Sequence, residues 1–454
     1  MARAKALVPT PGVVPRPNPG PRLPQGLSAF RHRNYRLYFI GQSISVTGTW
    51  MQSLAQSWLV LTLTPSAFKL GLVGAFQFAP VLVLGLFGGV IADRFSKRNL
   101  LVMTQSTMGI LAGILAVLVW TGVVRLWHVY ALALALGVVN SLDMPTRQAF
   151  VTEMVGTDDL LNAIALNSAL FNAARILGPA IAGALLAAFG PAICFGLNAI
   201  SYIAVVTCLL MMRLKPHVRT ISGKGLEQLR EGLAYVRAKP EILRPIILVG
   251  LVSTFGMNFS VWIALLAKKD LNAGASGFGL LLAALGVGSL FGALLLAFSG
   301  RRARPRLMLF GSMALGVSEV LLAVAGAIPL SLAIAMIVLA AVGFTASLTT
   351  ATANTTVQSN SPDELRGRVM SVYMTVFAGS GPFGALISGA SAGWAGTPAS
   401  LTLGGVVTLL AGLGLLVTGK RPARHNRPRG AAVESTAPPG SEPTRLSPTP
   451  HAED

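Results

Sequence analysis

The chain has 454 residues, of which 53% are hydrophobic and only 11% charged, a balance that excludes an ordinary water-soluble globular protein and makes lipid the expected solvent. The formal net charge of +20 would suit a nucleic-acid partner by its size alone. Its placement along the chain, set out below, excludes that partner and points to a membrane topology signal instead.

Residues 1–29 are rich in proline, with scattered arginine and no apolar core of a signal sequence. They are expected to form a disordered cytoplasmic tail rather than a cleaved leader. A helix crossing the hydrocarbon needs about 20 predominantly apolar residues. Twelve such stretches follow, at 37–63, 68–92, 99–121, 127–149, 160–188, 191–212, 245–267, 275–299, 306–326, 328–352, 365–390 and 399–418. The fold class expected is therefore an all-α membrane protein of twelve spans. Residues 419–454 are basic and then rich in Pro, Ser and Thr, and read as a second disordered cytoplasmic tail.

In the first span Gln42, Ser45, Thr49, Gln52 and Gln56 fall at alternating intervals of three and four, which places them on one stripe of a helix. The second span runs into Gly88-Gly89-Val90-Ile91-Ala92-Asp93-Arg94-Phe95-Ser96-Lys97-Arg98. Asp93 ends that span, where a carboxylate opposes the helix dipole unless it is paired. Arg94, Lys97, Arg98 or the capped start of the eleventh span are available to compensate it, with Arg366 or Arg368 as partners across the halves.

The fourth span carries Asp143 and Arg147 at i and i+4 beside Pro145, either a structural pair at a kink or a protonatable switch. In the fifth span Ser168, Asn172 and Arg175 share a face. Arg175 lies about 22 Å from that span's inner end, too deep to be left facing lipid. Cys194 and Cys208 are about 21 Å apart on the sixth span and cannot form a disulfide or a metal framework.

Residues 213–243 read as a basic linker with an amphipathic helix, Leu226, Leu229, Leu233 and Val236 sharing one face. It is expected either on the membrane surface or in solvent. The seventh span offers Thr254 and Asn258; the tenth repeats the polar stripe with Thr345, Thr349, Thr352 and Thr356. Glu319 is isolated in the ninth, as a coupling carboxylate or a contact with a neighbouring helix. Taken together the stripes read as an aqueous substrate path, with Trp50, Trp58, Phe76, Phe78, Phe259 and Trp262 as apolar contacts. Interhelical hydrogen bonding is the alternative for any one residue.

Landmarks recur at a displacement near 204: Trp58 with Trp262, Lys97-Arg98 with Arg301-Arg302, Asp159-Leu160 with Glu364-Leu365, and Gly178-Pro179 with Gly381-Pro382. Such a repeat implies two related six-helix bundles, 30–212 and 244–418. Position 297, aligned with Asp93, is Ala, so gating is expected to be asymmetric between the halves. With a cytoplasmic N-terminus, every Lys and Arg except Lys69, Arg125, Lys268, Lys269 and Arg175 falls in a tail, an inner loop or the inner end of a span. That is the positive-inside bias of a multi-pass inner-membrane protein.

These residues carry a resemblance to the major facilitator superfamily over 30–418. Gly89 to Arg98 looks like its loop motif between the second and third helices, departing at Ser96 and Lys97. Gly178-Pro179-Ala180-Ile181-Ala182-Gly183 resembles the fifth-helix motif of its antiporters, departing at Ala182, and Gly381-Pro382 is its counterpart in the eleventh. Phe30 to Arg36, Gly48 to Gln52, Asp143 to Arg147 and Asp363 to Val369 are similar to the branch of enterobactin exporters and macrolide efflux proteins.

The resemblance implies proton-coupled export of a small amphiphilic molecule by alternating access, gated at Asp93. Uptake by symport, and a non-transporting sensor or scaffold, are the rival readings. The stripes hold Arg175 but little acid, which favours neutral or anionic substrates. Proton-coupling candidates are Asp143 with Arg147, and Glu319. No cofactor, metal or nucleic acid is expected, a monomer is, and the lack of a His/Cys/acid cluster or phosphate-binding loop argues against an enzyme.

Overall fold

A computed structural model of the chain describes residues 25–213, 225–298, 305–327, 331–362 and 364–418. A short 3-10 turn at Gln25–Arg31 leads into α1 (Arg33–Leu63), α2 (Ala67–Arg94), α3 (Lys97–Trp120), α4 (Leu126–Val155), α5 (Leu160–Phe189) and α6 (Pro191–Leu210). After α7 (Gly225–Ala238) come α8 (Pro240–Phe255), α9 (Phe259–Leu265) with a π turn at Leu266–Asp270, α10 (Gly274–Phe298), α11 (Pro305–Ala327), α12 (Leu332–Ser359) and α13 (Arg366–Thr418).

Ten of the described helical segments are long and apolar enough to cross a membrane. Two more crossings follow from physical argument. α1 is 31 residues long, and its polar stripe lowers its mean hydropathy without shortening it. α13 has 53 residues, about 80 Å of helix, far more than a hydrocarbon core of about 30 Å. Gly396, at φ 87°, turns the chain there with a backbone that side chains resist, and divides α13 into two limbs. The described residues thus make twelve crossings: α1 to α6, the pair α8–α9, α10, α11, α12 and the limbs of α13. This is the expected fold class.

Several boundaries differ from the sequence reading for local reasons. α8 begins at Pro240, five residues before the expected span, because Pro at a first helical position follows extended Lys239. The tenth crossing continues to Ser359 because its Thr and Ser hydroxyls bond back to carbonyls one turn earlier and do not interrupt the helix. The seventh crossing is broken: helix stops at Phe255 and resumes at Phe259.

Glycines set how closely the helices approach. A Cβ on Gly343 would lie 2.0 Å from the Leu285 carbonyl oxygen, and one on Gly288 1.8 Å from that of Ala340, so α10 and α12 touch backbone to backbone. The first six helices meet the later ones along two seams. On one, α5 meets α10 at Gly183 against Gly279 and at Ile176 against Gly286. On the other, α2 meets α13 at Ala67 with Gly389, Gly71 with Ala385, and Phe78 with Gly381. Lys268 and Lys269 reach across at the end of the bundle, to Thr62 Oγ1 at 3.1 Å and the Pro65 carbonyl at 2.7 Å.

The linker helix α7 is neither free in solvent nor lying apart on the membrane surface along its described length. Val236 is buried and Leu233 packs on the core, Gly232 sits against the Arg368 backbone, and Glu231 pairs with Arg368. The side chains of Leu226 and Leu229 lie outside the described residues.

The segment from Ala29 to Tyr35 is pinned to the start of α5. The Ala29 amide donates to Asn162 Oδ1 at 2.9 Å, Tyr35 Oη to the Ala163 carbonyl at 3.0 Å, and His32 Nε2 meets Asp159 Oδ2 at 2.8 Å. Hydrogen bonds from Ser28 and then His32 hold the Asp159 carboxyl below the usual carboxylate range. A depressed carboxyl contributes above its unfolded value and loses that contribution as pH falls through its folded one. Docking of residues 25–32 is therefore expected to loosen below about pH 4, seen as acid-dependent proteolysis of this segment, and Asp159→Asn should remove the pH dependence.

Candidate functional site

The polar stripe of α1 turns into the first six helices rather than toward the later ones. Gln42, Ser45, Gln52 and Gln56 are buried; Thr49 is exposed. Asn198 Nδ2 of α6 donates to Gln52 Oε1 at 2.7 Å, and Thr49 Oγ1 lies 3.5 Å from Tyr202 Oη. Gln52 and Gln56 line a small cavity closed by Leu111, Leu115, Val129 and Leu136 of α3 and α4.

At the other end of the stripe Gln42 joins a charged network. Arg147 donates to Asp143 and, at 2.9 Å, to Gln42 Oε1. Thr104 Oγ1 and Gln105 Nε2 of α3 each donate to Asp143 Oδ1 at 2.8 Å. The Asp143 side chain is 0% exposed while that of Arg147 is 30% exposed. The pair thus ties α1, α3 and α4 together, Arg147 holding α1 through Gln42 and the carboxylate accepting three hydrogen bonds from α3 and α4. Thr104 and Gln105 were not singled out in the sequence, although adjacent polar residues in an apolar span are the signal that finds them.

The loop after α2 divides between what is described and what is not. The α2 backbone runs through Gly89 to Arg94, but the side chains of Asp93 and Arg94 lie outside the described residues. Lys97 pairs with Glu153 of α4 at 3.1 Å. Arg98 donates to the carbonyls of Leu209 and Leu210 at 2.8 and 2.7 Å, satisfying the exposed C-terminus of α6. Both cations thus bind within the first six helices. Arg368, an expected cross-half partner for Asp93, is engaged by Glu231.

Arg175 on α5 is half-buried. Its guanidinium lies over the Trp50 ring at 5.8 Å, and Phe171 meets the same ring edge-on at 5.6 Å. Gly178 makes this possible: a Cβ there would be 2.6 Å from Trp50 Cβ, so α5 closes on α1 one turn beyond. No acidic partner of Arg175 occurs among the described residues. Asn172 donates to the Ser168 carbonyl at 2.8 Å and is solvent-facing. Toward the N-terminal end of α5 Leu161, Ile164 and Phe171 are 81%, 50% and 52% exposed, whereas Pro179, Ala182 and Gly183 are buried at the seam with α10.

In the later helices Thr254 and Asn258 face α13, with Gly384 against both, and Asn258 Nδ2 bonds the Thr254 carbonyl at 2.8 Å. Pro382 is buried beside this contact. Thr345 and Thr349 are buried. Thr349 packs on Gly311 of α11, and both hydroxyls bond their own helix. Thr349 thus sits inside the contact of α12 with α11. Glu319 is 0% exposed on α11, and neither carboxylate oxygen has a hydrogen-bond partner. Trp262 is buried, with Nε1 donating to Ser400 Oγ at 2.9 Å, and Trp58 stacks on Phe278 at 6.1 Å. No group of three or more His, Cys, Asp or Glu side chains able to hold a metal occurs among the described residues.

Twelve crossings in two seam-joined sets, with charged groups buried between helices, define a multi-pass membrane transporter. The chain belongs to the MFS_3 family of the major facilitator superfamily, transmembrane secretion effectors, whose model matches residues 25–432. It is 24% identical over 379 residues to the staphyloferrin A transporter of Staphylococcus aureus, covering 82% of this chain and 93% of that protein. It is 28% identical to the multidrug efflux pump Tap of Mycolicibacterium fortuitum, over 81% of this chain and 91% of Tap. It is 25% identical to the enterobactin exporter EntS of Escherichia coli, over 85% of this chain and 92% of EntS.

The fold is shared with the nucleoside transporter NupG, at a TM-score of 0.68 and 12% identity over 87% of this chain and 100% of the other. It is shared too with the POT family transporter PepTSo, at 0.66 and 16% over 85% and 97%. The expected family is thus the observed one, and its members are transporters, not enzymes.

Proposed function

We propose that the chain is a proton-coupled exporter of a small amphiphilic molecule, neutral or anionic, working by alternating access as a monomer in the cytoplasmic membrane with both termini inside. Siderophore-like compounds are the leading substrate class, supported by two of the relatives, and drug-like compounds come next, supported by Tap. The observation that carries the reading is Arg175 over Trp50 beside Phe171: a cation with aromatic faces, deep in the bundle, with no carboxylate of the described residues to neutralise it. An anionic ligand supplies the missing counter-charge, and an aromatic one stacks on the same rings. The exposed N-terminal end of α5 and the closed seam beyond it support an entrance from the cytoplasm.

The test is accumulation of enterobactin and staphyloferrin A, separately, in inside-out membrane vesicles under an imposed proton gradient. At least one should accumulate, and an uncoupler should abolish it. Arg175→Ala should lower uptake tenfold or more, equivalent to about 1.4 kcal/mol of lost binding, and Arg175→Lys should restore part. Accumulation in right-side-out vesicles instead would make the protein an uptake symporter. An undiminished Arg175→Ala variant would remove this site from the path.

A further inference from the structure

Glu319 is buried with no hydrogen bond to either oxygen, and the next group to it shares that condition: Thr408 Oγ1 on the second limb of α13 is also buried and unpartnered. The two oxygens face one gap. A Cβ on Gly256 would come 2.5 Å from Thr408 Oγ1 and 3.0 Å from Glu319 Oε1. Gly256 is the residue at which α8 ends, so the gap opens on the break in the seventh crossing. A helix interrupted beside a buried polar group is a recurrent way for transporters to build a mid-membrane ion site.

Among the described residues no charge is at hand to compensate an ionised Glu319. The second limb of α13 and all of α12 carry no charged residue. On α11 the nearest is Arg306, about 20 Å along the helix. On α8 Glu241 and Arg244 stand at its start. Lys268, Lys269 and Asp270 lie in the π turn beyond α9, and Arg366 and Arg368 at the far end of α13's first limb. A carboxylate without donor or counter-charge is prohibitively costly to bury, whereas a carboxylic acid needs one acceptor. The unpartnered Thr408 hydroxyl and the carbonyls freed by the break are such acceptors. To lose its proton, Glu319 must gain water or a donor, and the crossing beside it is interrupted, helix stopping at Phe255 and resuming at Phe259.

We propose that Glu319, Thr408 and the break at Gly256 form a proton-binding site inside the later helices, at which release of the proton is tied to movement of α9 on α8. It rests on the reading of the chain as a proton-coupled exporter, and it places the coupling there rather than at Asp143, whose carboxylate is already saturated by Arg147, Thr104 and Gln105.

The test uses purified full-length protein in lipid and needs no transported ligand. Infrared spectra at neutral pH, where ordinary carboxyls near pKa 4 are ionised, should show a neutral carboxyl C=O band that shifts in D2O. Glu319→Gln should delete one carboxyl's worth of it. As the band titrates away in the wild type, hydrogen exchange of residues 253–262, corrected for intrinsic rate, should quicken; in Glu319→Gln it should stay constant. A wild-type spectrum without the band, a band untouched by Glu319→Gln, or exchange that ignores the titration would each overturn the proposal. If Glu319→Gln does not fold, Thr408→Val keeps the carboxyl and should move its band; an unmoved band overturns the proposal equally. In the vesicle assay Glu319→Gln should keep enterobactin exchange and lose proton-driven accumulation, and retained accumulation would sink the coupling role. A wild type that moves neither siderophore would defeat the exporter reading while leaving the infrared result to decide the site.

Discussion

Replacing Arg147 by Met is expected to destabilise the protein by about 3–5 kcal/mol, the cost of breaking a buried ion pair from one side. The direction of the asymmetry is specific. Asp143 is fully enclosed, so without Arg147 its charge is left with only Thr104 and Gln105 as neutral donors. Arg147 is 30% exposed and without Asp143 still bonds Gln42 and reaches solvent. Asp143→Asn should therefore cost less, about 1–3 kcal/mol, and the double variant Asp143→Leu, Arg147→Met should recover part of the loss, because no unpaired charge remains. Thermal unfolding in detergent, followed by size-exclusion fluorescence, checks all three. Equal losses in the two single variants would contradict the asymmetry and point to a role for the pair outside folding.

A second large effect is expected at the seam between α10 and α12. Gly343→Leu forces a side chain where even its first carbon would meet the Leu285 carbonyl oxygen at 2.0 Å and the Ser289 amide nitrogen at 3.0 Å. Both obstacles are backbone, so no rotamer change relieves them and the helices must part. Overpacking of an ordinary core costs about 1–3 kcal/mol; this substitution should meet or exceed the upper figure and prevent recovery of monodisperse protein. Gly288→Leu, facing the Ala340 carbonyl from the other side, should behave alike. Gly196→Ala, with nothing within 4 Å of its added carbon, should be neutral or slightly stabilising. A soluble, native-like Gly343→Leu protein would show that the two helices are not in backbone contact.

Much of this architecture is legible in residue order. A span is set by length and hydropathy, and a helix in lipid satisfies its own backbone, so spans are local properties of sequence. The pairing of Asp143 with Arg147 follows from a four-residue spacing on one helix. The direction of the polar stripes does not. Gln52 reaches Asn198, and Thr349 reaches Gly311, because which neighbour a face meets depends on helices distant in the chain. Polar spacing alone cannot distinguish a face toward a cleft from a face toward the interior of its own bundle, since both exclude lipid.

The sequence by itself determined the class of protein: twelve apolar segments, a basic bias in the loops, a loop motif at Gly89 to Arg98 and a repeat near 204 residues. These are features of composition and spacing, and they belong to the chain before it folds. Only the tertiary structure decided which ionisable groups are compensated. It surrounded Asp143 with donors from two helices, set Arg175 over Trp50, and left Glu319 buried against a broken helix with none. Compensation of a charge depends on what is packed within a few ångströms of it, and packing between helices is not written in the spacing along any one of them.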